Sequence, residues 1–114
     1  MNMSEFVLIF RRDYNTKESQ PSEQEMQTYL KHWQDWFLSL AAQDLLVRPV
    51  QRWDSQGVVV TREKLHADGP YHKGNQSMGG LIIIKAEDYN HAREIAQGCP
   101  VLELGGTVEI RMAI

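Results

Sequence analysis

Residues 81–84 read Leu-Ile-Ile-Ile, an unbroken apolar run closed by Lys85. A strand turns alternate side chains to opposite sides, so a run of this kind needs apolar cover on both faces of its sheet. The rest of the chain offers two helical patterns to supply that cover. The first opens at Pro21 and Ser22, where Ser22 and Glu25 have the spacing of a capping box, and continues through Met26, Tyr29, Leu30, Trp33, Phe37, Leu40 and Ala41 to an end near Ala42 or Gln43. The second is capped by Asp88, carries Tyr89, Ala92, Ile95 and Ala96 on one side, and stops at Gly98 and Pro100. Two helices cover one sheet face. The other is expected to be covered by a second copy of the chain.

The remaining segments supply the strands. Residues 5–10 read as a strand whose apolar run has an aromatic at each end, Phe6 and Phe10, and the polar stretch 11–20 that follows reads as a loop. Residues 45–50 and 57–61 are β-rich and joined by a polar bend at Asp54, Ser55 and Gln56, which predicts a hairpin with Pro49 at an edge or bulge. Residues 64–80 contain Asp68-Gly69-Pro70 and Gly79-Gly80 and read as the longest irregular stretch. Residues 107–112 alternate, with Val108, Ile110 and Met112 on one face and Glu109 and Arg111 on the other. The order collapses to βαββαβ, which predicts an α+β, ferredoxin-like sandwich filling a single domain over residues 1–114. Pairing of two such sheets would make a dimeric α+β barrel.

Charge and composition remove several classes of function. Twelve Lys and Arg against fifteen Asp and Glu leave a net charge of -3 with no basic run, which disfavours nucleic acid as a partner. The apolar runs are too short to span a bilayer, so no membrane association is expected. A single cysteine, Cys99, excludes an intrachain disulfide and a thiolate zinc cluster, and fits a cytoplasmic, reducing location. No P-loop, dinucleotide fingerprint or nucleophile elbow is present, and no cofactor is expected.

Chemistry concentrates in one loop, where His66, Asp68, Tyr71, His72 and Lys73 lie close together, and on the first helix at His32. Asp68 before Gly69 and Pro70 is good turn chemistry, its carboxylate closing onto nearby backbone N–H groups. A carboxylate fixed in such a turn can also orient an imidazole or act as a base once partly buried. His32 shares a helix flank with Tyr29 and Trp36, and becomes the general acid/base candidate if that flank borders a cavity, with Asp68 fixing its tautomer. His66 and His72 bracket Asp68, but no partner segment completes a metal set, so no metal is expected. Arg111 pairs with Glu109 or Glu103 on the surface, or anchors an anion on a pocket wall. His91 faces water, and Cys99 is a small buried residue. Trp33, Trp36 and Phe37 form core and dimer packing, with Trp36 the nearest of them to a pocket.

Several of these residues together carry a resemblance. His66-Ala67-Asp68-Gly69-Pro70-Tyr71, Gly79-Gly80 before an apolar strand, Ala92 in the second helix, Val108-Glu109-Ile110-Arg111 and Trp33-Gln34-Asp35-Trp36 resemble the YCII-related, DGPF-domain proteins across nearly the whole chain. The resemblance implies a ferredoxin-like fold paired into a dimeric barrel. It also implies a His and Asp pair near the dimer cavity: Asp68 matches the motif directly and His32 a helix histidine of some relatives. Two departures stand out, Tyr71 where the motif has Phe, and Gly74-Asn75-Gln76 where it has Thr-Lys-Glu, which removes a lysine and a carboxylate from the loop. The expectation is a cytoplasmic homodimer that binds an unidentified small organic molecule through His66, Tyr71, Trp36 and Arg111, with Asp68 and His32 as an acid/base pair if it is an enzyme. The alternative is a non-catalytic ligand-binding or regulatory module, since some relatives carry labels linking them to transcription initiation.

Overall fold

The computed structural model describes residues 2–47, 51, 53–54, 56–63, 67–68 and 70–114, and of residues 67, 68, 72 and 73 the backbone alone. Its regular elements are β1 (Ser4–Arg12), α1 (Glu23–Ala42), β2 (Val58–Val59), β3 (Ala67–Asp68), β4 (His72–Lys73), β5 (Gln76–Ala86), α2 (Tyr89–Ala96) and β6 (Thr107–Met112), with 3-10 turns at Lys17–Ser19 and Pro100–Leu104. The main sheet has the order β4-β5-β1-β6, and its neighbours run antiparallel. Leu46 bridges Ile84 on the outer edge of β5, where Val47 N–H donates to Ile83 O at 2.9 Å and Lys85 N–H to Leu45 O at 2.8 Å. Leu45, Leu46 and Val47 thus stand where a ferredoxin-like fold has its second strand, and the α+β, ferredoxin-like fold follows.

Alternation sorts the sheet into two faces. Phe6, Leu8 and Phe10 of β1 register with Ile84, Ile82 and Gly80 of β5 and with Met112, Ile110 and Val108 of β6. This is the helix-covered face, where Phe6, Leu8, Ile82 and Ile84 join Leu40 of α1, Ala92 and Ala96 of α2, and Val101 in one buried core. Burying each large apolar side chain contributes roughly 1.5–3 kcal/mol. Val7, Ile9, Leu81 and Ile83 point the other way and are half-buried. Among the described residues, no helix lies over them.

Local chemistry explains the helices. Ser22 Oγ accepts from Glu25 N–H at 3.1 Å while Glu25 Oε1 accepts from Ser22 N–H at 2.9 Å, the expected capping box. The buried stripe is narrower than the pattern suggested, because Leu30 is exposed and Trp33, Trp36 and Phe37 fill the space against Phe10. Asp88 caps α2 by accepting from His91 N–H at 2.8 Å. His91 is not simply solvated: its Nδ1 accepts from Glu87 N–H at 3.0 Å and satisfies a second free donor at that helix end. Cys99 is buried as expected, and loss of solvent pushes its thiol up to about 12, so it packs as a neutral group.

Two segments depart from the expected course. Among the described residues the hairpin expected between residues 45–50 and 57–61 is not formed, since Leu46 bridges β5 and Val58–Val59 pairs with Ala67–Asp68; the expected edge or bulge at Pro49 lies outside the described residues. Apolar β-rich segments identify strands but not their partners. Gly79 and Gly80 lie inside β5 rather than in a turn, beside a register shift opposite Phe10 and Arg11. There the bare backbone is what matters: a Cβ on Gly79 would run into the Tyr14 hydroxyl, and one on Gly80 would sit 3.3 Å from Trp53 Cδ1. Tyr14 in turn lies 4.1 Å from the guanidinium of Arg12, whose Nη1 donates to Asp13 O and Gln20 Oε1 at 3.2 Å each. At 6% exposure Arg12 is the buried charge of the described residues, and this cation–π contact stands in for a carboxylate.

Candidate functional site

The strand alternation that carries Val7 and Ile9 to the uncovered face continues to Arg11, which registers with Met78 of β5 and Thr107 of β6. Arg11 and Met78 form one side of a cleft of about 410 Å³. Trp53, Asp54, Gln56 and Gly57 lead into Val58 and Val59 of β2 along another side, and Pro70 and Tyr71 complete it. Asp68 stands opposite Val58 in the β2–β3 ladder, so its backbone lies beside a lining residue of the cleft. Most of this lining is apolar. Its charged members, Arg11 and Asp54, are not joined by an ion pair, and Asp54 Oδ1 accepts from Gln56 N–H at 3.0 Å to close its own turn.

Arg11 is held in place from β6. Its Nη1 donates to Glu109 Oε1 at 2.7 Å, while Arg111 Nε donates to Glu109 Oε2 at 2.8 Å. One carboxylate is therefore shared by two guanidinium groups, leaving an excess positive charge on the sheet face. Hydrogen bonds from Arg111, and then from Arg11, hold the Glu109 carboxyl below its usual range, and Glu109 raises Arg111 in return. Glu109 consequently stays ionised wherever the protein is folded near neutrality. One Arg11 N–H is committed to Glu109, and among the described residues its remaining side-chain donors have no hydrogen-bond partner.

The residues singled out from sequence fall into three groups. Tyr71 lines the cleft, with a largely exposed ring, and Arg111 reaches its edge only through Glu109 and Arg11. His32 and Trp36 sit with α1 on the helix-covered side. Nδ1 of His32 is held by both Glu103 oxygens, at 2.8 and 3.1 Å, and Trp36 packs between Phe10, Trp33 and Phe37. The backbone of Asp68 is one ladder position from the cleft wall, and its side chain lies outside the described residues, as does the whole of His66. Arg111 chooses Glu109 of its two expected partners, leaving Glu103 to His32. Sequence reading missed Arg11, Met78 and Trp53. Continuing the alternation of residues 5–10 by one position would have placed Arg11 on the uncovered face; Met78 and Trp53 carry no such signal.

These features define a small α+β domain with one helix-covered sheet face and one open face bearing a cleft. The chain belongs to the YCII-related domain family, whose model matches residues 6–113. Comparison with curated proteins finds no match. Among the described residues no helix is long and apolar enough to cross a membrane.

Proposed function

We propose that the protein binds a small organic molecule in the cleft beside Arg11, and does so as a homodimer whose open sheet faces pack together as a dimeric α+β barrel. The observation that carries the binding reading is the cleft itself: about 410 Å³, mostly apolar, with a few polar groups and one arginine whose donors are largely uncommitted among the described residues. Pro70 and Tyr71 line it and the backbone of Asp68 pairs with the lining residue Val58, which supports the expectation that this segment is functional. Val7, Ile9, Leu81 and Ile83 form the apolar centre of the face available to a partner. Packing the faces together would put a second sheet over each cleft. A buried neutral Cys99 fits a reducing, cytoplasmic setting.

Binding is the reading favoured over acid–base catalysis. Of the described histidines, His32 faces Glu103 on the helix-covered side and His91 is bound to the start of α2, whereas Arg11 and Met78 belong to the open side. Screening a fragment library by amide chemical shifts tests the binding reading. Bound fragments should perturb residues 11, 53, 57–59, 71 and 78 as one group. Perturbations confined to the His32–Glu103 region would overturn the choice of site.

A further inference from the structure

Resting on the proposed cleft, we infer its ligand class: a small monoanionic carboxylate with an apolar body, seated with its carboxylate on the Arg11 guanidinium. The Arg11–Glu109–Arg111 cluster carries two positive charges and one negative. Both Glu109 oxygens are already engaged, so Glu109 fixes Arg11 without consuming its other donors. A guanidinium held from one corner presents a planar fork matched to a carboxylate's two oxygens. Arg11 is part-buried, with its side chain 29% exposed, which limits the screening of such a contact by water and salt.

The rest of the lining selects what is attached to the carboxylate. Val58, Val59, Pro70, Met78 and the Trp53 ring offer apolar surface to a short alkyl or aromatic body. Asp54 argues against a phosphate dianion. It places a second negative charge on the lining, unpaired with Arg11, and a ligand with charge beyond -1 would be repelled by it. A carboxylate matches the single excess charge of the arginine cluster.

The test is titration of the full chain, at low ionic strength, with matched pairs of probes: cinnamate against cinnamamide, hexanoate against hexanamide, and phenyl phosphate beside them. Amide shifts of the cleft and the side-chain Nε resonance of Arg11 are followed together. The carboxylates should bind about tenfold or more tightly than their amides, as loss of a charged hydrogen bond predicts. Arg11→Gln should erase that difference, and Glu109→Gln, which removes the competing carboxylate, should widen it. A merely structural Arg11 would leave the carboxylate-to-amide ratio unchanged in both variants. Amides binding as well as carboxylates, or phenyl phosphate binding better, would overturn the ligand class while leaving the cleft as the site. Failure of every probe to shift the cleft resonances would overturn both.

Discussion

Substituting Gly79 by alanine should destabilise the protein through a residue far away in sequence, Tyr14. A Cβ at position 79 would meet the Tyr14 hydroxyl and lie 2.6 Å from Cζ, so the phenol must swing out. The ring then leaves Arg12, which is 6% exposed and lies 4.1 Å from its centroid. A desolvated cation–π contact is worth about 2 kcal/mol and forced repacking typically costs 1–3, while replacing a strand glycine returns about 0.5–1 kcal/mol. The net expectation is a loss of about 2–4 kcal/mol, measured as a lower urea midpoint with unchanged slope. The decisive comparison is the double-mutant cycle. In a Tyr14→Ala background the obstruction is gone, and Gly79→Ala should be neutral or stabilising by about 0.5 kcal/mol. An equal loss in both backgrounds would refute the reasoning.

Ser22→Ala should cost about 1 kcal/mol by leaving the Glu25 N–H without its cap, and an unchanged melting midpoint would show that the box is inert. Asp13, Glu25 and Glu109 all have folded-state carboxyls lowered by hydrogen bonds, chiefly from Thr16, Ser22 and Arg111 respectively. Their contribution is therefore complete above the ordinary values of 3.8 and 4.5 and is lost as pH falls through the lower folded ones, so melting temperature should fall on acidification below about pH 4; a rise there would contradict the sign. Ile83→Asp, on the open face, should convert a particle of twice the chain mass into one of 13.2 kDa by light scattering, and a wild type already at 13.2 kDa would remove the dimer from the account.

Local rules made much of this fold legible. Ser22 with Glu25, and Asp88, announce helix starts because their side chains reach backbone donors a few residues away. The alternation of Val108, Ile110 and Met112 against Glu109 and Arg111 survives intact because a strand's period is local geometry. Pairing is not local. Nothing near Val58 says that it will register with Asp68, and Leu46 reaches Ile84 across a long stretch of chain. Gly79 and Gly80 look like a turn because the rings that require their bare backbone, Tyr14 and Trp53, are distant in sequence. The site divides in the same way. Pro70 and Tyr71 were visible as part of a turn motif, whereas Arg11 becomes interesting only once Glu109, on a neighbouring strand, has fixed it.

The central claim is that the cleft is where a ligand goes, and filling it is the direct test. Val59→Trp would place an indole in the space bounded by Arg11, Met78 and Tyr71, at a half-buried position of a short strand that tolerates a large residue. Fragments that bind the wild type should be measured again on this variant by calorimetry, with melting and light scattering confirming that fold and assembly are retained. The account predicts that binding disappears while both controls stay unchanged; fragments that bind the filled protein as tightly as the wild type would contradict it.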